Sequence, residues 1–119
     1  MLTQHELNDL AQDYWSMAGK LFASNRKFEC PKIVINNRIY RTAGRCFVEL
    51  NTIDISGKLL ANPANVGAML NVILPHEIAH QIDFNLNGAP KNNRWHGRTW
   101  AHIMVQLGLE PNPYHNLTI

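Results

Sequence analysis

Leu74-Pro75-His76-Glu77-Ile78-Ala79-His80-Gln81-Ile82-Asp83 is the stretch on which the reading of this chain turns. Upstream of it, Val66, Met69, Leu70, Ile73 and Leu74 recur at helical spacing, and Ile78, Ala79, Ile82 and Leu86 continue the period downstream. Asn62-Pro63 supplies an N-cap followed by a proline at the first helical position, and Gly88 supplies a C-terminal cap. The pattern predicts one long helix, with Pro75 interrupting or kinking it.

That helix carries an HExxH motif. Histidines four apart lie about 40° apart around the axis and about 6 Å along it, so His76 and His80 can converge on one metal ion. Glu77 points to one side of the pair. There it can reach a water held at the metal without binding the metal itself. Zinc lowers the pKa of such a water to about 7, and a carboxylate can take its proton as it attacks a carbonyl.

Catalytic zinc takes three protein ligands plus water, so a third ligand is expected. Asp83 shares the helix face but lies about 10.5 Å along the axis from His76, too far for a short side chain; it is expected to orient His80 instead. His102 falls off the apolar stripe of a last helix formed by Trp100, Ile103, Met104 and Leu107 and capped by Gly108, and reads as solvated. His115 lies in a tail flanked by Pro111 and Pro113. His96 is the favoured candidate, because Trp95-His96-Gly97 falls where a loop turns into the last helix. From there the chain can fold back over the first two ligands, with Trp100 packing beside them.

Outward from this centre the chain reads as α+β. Thr3-Gln4-His5-Glu6 is a capping box, followed by Leu7, Leu10, Ala11, Tyr14, Ala18, Leu21 and Phe22 on one helical face to about residue 24. After Pro31, Ile33 and Ile35 alternate with polar positions. Gly44 opens a second β-like run through Phe47, Val48 and Leu50, then Ile53 and Ile55, and Gly57 closes it. Two or three short strands in one small sheet are expected.

The 119 residues suit one domain, with 45% hydrophobic and 17% charged residues, a balance that excludes a disordered chain. Aliphatic runs such as Val72-Ile73-Leu74 are far short of the roughly 20 residues of a membrane span. Glu6, Asp9 and Asp13 near the start do not fit a secretory signal, so a cytoplasmic chain is expected. Cys30 and Cys46 are too few for a disulfide framework and read as reduced and partly buried. The net charge is +2, unevenly spread: residues 20–45 sum to +6, through Lys20, Arg26, Lys27, Lys32, Arg38, Arg41 and Arg45 against Glu29. Such a block is either a solvated basic face or a nucleic-acid footprint.

His-Glu-x-x-His, a gap of fifteen residues, then His-Gly-x-x-Trp resembles the SprT-like metalloprotease family, relatives of the eukaryotic protease Spartan. Thr42-Ala43-Gly44-Arg45, the strand from Asn51 to Ile55, Val72-Ile73-Leu74-Pro75 and Tyr114-His115 extend the likeness over residues 30–119. The resemblance implies one zincin-like metalloprotease domain over residues 1–119. It implies His76, His80 and His96 as zinc ligands and Glu77 as catalytic base. The implied activity is hydrolysis of peptide bonds, with substrates that are proteins on or near DNA. DNA would bind through the region from Lys20 to Arg45, and the protein would then associate with the nucleoid. Many members carry a cysteine-rich zinc ribbon, whereas no cysteine follows Cys46 here. Two other functions fit the same residues: a zinc-containing DNA- or transcription-associated binding protein with little cleavage, and a metal hydrolase acting on a small amide.

Overall fold

The computed structural model describes residues 2–112. The Tyr114-His115 element therefore lies outside the described residues. The first helix, α1 (Gln4–Leu21), starts at the capping box read from the sequence: Thr3 Oγ1 accepts from the Glu6 amide and Glu6 Oε1 accepts from the Thr3 amide, each at 3.1 Å. Its buried face is Leu7, Ala11, Trp15 and Ala18. The helix stops at Leu21, slightly before the apolar spacing does, because Phe22 turns to an extended φ of −130° and a 3-10 turn, Ala23–Lys27, follows. Arg26 Nε donates to the Gly19 carbonyl at 2.6 Å and Trp15 Nε1 to the Phe28 carbonyl at 3.0 Å, folding that turn back on the helix.

Among the described residues three strands form one sheet in the order β1-β3-β2: β1 (Lys32–Asn36), β2 (Gly44–Phe47) and β3 (Thr52–Ser56). The central strand β3 runs parallel to β1 and antiparallel to β2. The register places Ile33 and Cys46 on either side of Ile53, and Ile35 and Gly44 on either side of Ile55. The apolar run after Gly44 is not a single strand. It breaks at a 3-10 turn, Val48–Leu50, and at Asn51, whose left-handed φ of 49° lets β3 return beside β2. Nor does Gly57 merely end the sheet; Ser56 accepts from the Leu59 amide and caps a short helix, α2 (Gly57–Leu60).

The long helical segment passes through its proline unbroken. After a 3-10 turn, Pro63–Asn65, capped by the Asn62 side chain, it runs as α3 (Val66–Ala68), a π-helical stretch Met69–Ile73, and α4 (Leu74–Asn87). Pro75 has no amide to offer the turn behind it. The wide turn accommodates this, as the Leu74 amide reaches five residues back to Met69. The Tyr14 hydroxyl donates to the carbonyl of Leu70, five residues before Pro75, at 3.4 Å.

Every residue from Leu74 to Asp83 is buried. A helix buried on all sides is a central element, and α4 packs against α1, β2, β3 and the last helix, α5 (Arg98–Gln106). Leu7, Ile53, Ile55, Ile73, Ile78 and Trp100 are among the core side chains around it. The result is α+β, a small three-stranded sheet with several helices. Among the described residues, no helix is long and apolar enough to cross a membrane.

Candidate metal centre

His76 and His80 project from successive turns of α4, as their spacing requires. His96 comes from the loop ahead of α5, whose N-cap is Gly97. That loop reverses sharply through Asn92 and Asn93, at φ of 56° and 55°, in the left-handed region that asparagine enters at lower cost than most residues.

The three Nε2 atoms form a triangle: His76 to His96 3.1 Å, His80 to His76 3.2 Å, His80 to His96 3.1 Å. Neutral imidazoles gain little from this arrangement. Each ring has one proton to share between two nitrogens, so three mutually facing Nε2 atoms cannot all be satisfied by one another. A cation satisfies all three lone pairs at once. A triangle of that size has a point about 2 Å from every corner, the length of a zinc–imidazole bond. Geometry and donor chemistry therefore fit a metal ion held by three histidines, and these residues lie close enough together to bind one.

Trp100 packs against all three imidazoles. Its fully buried ring is 4.9 Å from the His76 ring, 5.4 Å from His80 in a stacked arrangement, and 4.8 Å from His96 edge-on. Its Nε1 donates to the His76 carbonyl at 3.3 Å. At His80 and His96 the electrostatics favour the neutral imidazole, the form that ligates metal. Burial, then the His76 and His96 charges, pushes His80 down to about 3, and partial desolvation of its otherwise exposed side chain lowers His96.

Glu77 is buried, with Oε2 3.9 Å from His76 Nε2. Burial pushes its carboxyl up to about 8. A dication nearby would draw that value back down. Gly44 lets β2 approach this carboxyl: a Cβ there would lie 3.0 Å from Ile73 Cγ2 and 3.1 Å from Glu77 Cγ. No local pattern around Gly44 signals this approach, because it joins residues 33 positions apart.

The other histidine and acid candidates fall elsewhere. His102 is exposed, edge-on to Phe22 at 6.2 Å, as its place off the apolar stripe implies. Asp83 is buried but does not orient His80. Its Oδ1 accepts from Asn87 Nδ2 at 2.8 Å, four residues on, and His80 Nδ1 has no hydrogen-bond partner among the described residues. His115 lies outside the described residues. Cys30 and Cys46 are free and half-buried. Burial raises Cys30 to about 11 and, with the Glu77 charge, pushes the Cys46 thiol higher still, so both behave as protonated thiols.

Comparison with known proteins returns a consistent set. The SprT-like family matches residues 11–117. Protein SprT of Vibrio parahaemolyticus is 32% identical over 90% of this chain and 61% of its own length. Protein SprT of Vibrio atlanticus is 31% identical over 87% of this chain and 58% of its own. Protein SprT of Shewanella oneidensis is 32% identical over 95% and 68%. The chain thus spans about three-fifths of the length of the Vibrio relatives. No solved structure matches it.

Proposed function

The chain belongs to the SprT-like family, and on that premise we propose that it is a zinc metallopeptidase with a zincin-like core, a single domain over residues 1–119. The observation that carries the reading is the triangle of His76, His80 and His96 Nε2 atoms with the buried Glu77 carboxyl beside it. Zinc bound there would supply a Lewis acid that polarises a peptide carbonyl and acidifies water. Glu77 takes a proton from the attacking water at a carboxylate oxygen. As the C–N bond breaks, Glu77 delivers that proton to the departing amine nitrogen. The His80 and His96 imidazoles stay neutral, and Trp100 packs against all three rings. The half-exposed edge strand β2, brought close to Glu77 by Gly44, is where an extended substrate backbone would pair.

Glu77→Gln is the test. It keeps the side-chain shape but cannot accept a proton, so turnover should fall about 10²–10⁴-fold with one zinc still bound per chain. Cleavage near the wild-type rate by that variant would overturn the mechanism. Zinc and DNA bound tightly by a wild type that never cleaves would favour the DNA-associated binding protein instead.

A DNA-associated substrate and a cytoplasmic, nucleoid-proximal location are part of the same proposal. Arg41 and Lys58 lie over the exposed Tyr40 ring at 5.9 and 5.1 Å, and Arg45 lies over the exposed Phe47 ring at 5.3 Å. Rings that stack on bases, flanked by cations that pair with phosphates, suit single-stranded nucleic acid. Neutralising Arg38, Arg41 and Lys58 together should weaken binding to a single-stranded oligonucleotide and flatten its salt dependence by about 0.7 per lost contact. Arg45 is spared because it donates to buried Asp54 at 3.3 Å. An unchanged salt slope would remove DNA from the account.

A further inference from the structure

Next to Glu77 and His80 opens a cavity of about 230 Å³, completed by Cys46, Val48 and Trp95. Its three remaining walls come from three places in the chain: Cys46 from β2, Val48 from the turn after it, and Trp95 from the loop that carries His96. Two of these walls are tied from behind to one side chain. Gln81, 1% exposed on α4, donates from Nε2 to the Val48 carbonyl at 3.1 Å and accepts from the Cys46 thiol at 3.6 Å. Gln81 also donates to Asn85 Oδ1 at 3.0 Å, which fixes the amide itself. The third wall stands edge-on to the His80 ring at 6.5 Å. Two of its walls are therefore held in place, and the side chains at 46 and 48 are small.

Its chemistry excludes most occupants. An acidic group would meet Glu77, and a basic group would pair with Glu77 and withdraw the carboxylate from its work on water. The remaining lining residues are Cys46, Val48 and Trp95, none of them charged. Size admits a branched aliphatic or phenyl group, since a dry cavity of about 150 Å³ already accepts benzene. We propose that this cavity is the side-chain subsite that sets substrate preference, accepting an apolar residue flanking the bond to be cut, with Cys46 and Val48 as its size gate. The proposal rests on the metallopeptidase reading above.

The test maps every bond that the zinc-loaded full chain cuts in denatured casein, by mass spectrometry. Wild-type cuts should be enriched at least about 10-fold for Leu, Met or Phe over Ala, Asp or Lys at one position flanking the bond, as expected when several methylenes are lost from an apolar pocket. Val48→Phe fills the cavity and should shift that position toward Ala and Gly, losing at least about 10-fold at Leu while zinc stays at one equivalent. Val48→Ala enlarges the cavity and should admit Trp; this arm carries the test if Val48→Phe does not fold. Cleavage with one profile across wild type and the folded variants overturns the subsite alone. No cleavage by the zinc-loaded wild type overturns the metallopeptidase reading and takes the subsite with it.

Discussion

Two regions meet at the histidine triangle and are built in opposite ways. His76 and His80 are 4% and 7% exposed, fixed on the stretch of α4 from Leu74 to Asp83 that is buried on all sides. His96 is exposed, on a loop that turns through two left-handed asparagines. The pair owes its geometry to the helical period and to the core around it. His96 owes its geometry to loop conformation and to the shared support of Trp100. A site assembled this way has a rigid half and an adjustable half, and substitutions should separate them.

The largest effect is expected where the two halves share a part. Trp100→Ala removes a fully buried indole touching all three imidazoles, and should cost about 3–5 kcal/mol in urea denaturation together with metal retention. Trp100→Phe keeps a ring but loses the bond to the His76 carbonyl. It should fold, with metal affinity lowered about 10–100-fold in a chelator competition.

Next, His80→Ala and His96→Ala should both lose bound zinc by elemental analysis, yet differ once a chelator is present. His80→Ala leaves a hole in the core and should lower the metal-free melting temperature by several degrees. His96→Ala should leave it within the shift expected for about 0.5 kcal/mol. Equal melting temperatures would erase the distinction between the two halves.

Asn93→Ala probes the adjustable half alone. Holding alanine at a φ of 55° should cost about 1 kcal/mol, read as weaker metal affinity more than as lost stability. The smallest effect belongs to the rigid half: Tyr14→Phe removes a long 3.4 Å bond to the Leu70 carbonyl and should cost about 0.5 kcal/mol in denaturation, with zinc content unchanged.

The same division governs what can be read from the sequence. Thr3 and Glu6 announce their capping box because both partners lie within one turn. His76 and His80 announce their convergence because a 3.6-residue period fixes it, and His96 follows from its place just before a helix start. The strand that faces them is different. From Gly44 to Leu50 the residues look like one strand, and only the need to return antiparallel beside β2 ends it at Phe47. Asp83 is misleading for the opposite reason: its neighbour along the helix, Asn87, is as good a partner as any ligand histidine. Gln81 looks like an ordinary polar helix residue, yet it is buried and holds Val48, 33 positions away, which no local pattern encodes.

The π-helical stretch ahead of the histidines also works as a clock. A turn that holds one more residue than an α-turn displaces everything beyond it by about 100° around the axis relative to an unbroken α-helix. Met69 and Ile73 can therefore enter the core at one hour while His76 and His80 strike another, facing His96 and Trp100. Deleting a single residue between Met69 and Ile73 would close the wide turn to an ordinary α-turn and take away the room it gives Pro75. One half of the helix would then have to turn by about 100° against the other. Either the core loses its contacts or the histidine pair swings away from its third partner, so the count of residues in this stretch is held as tightly as the identity of any ligand.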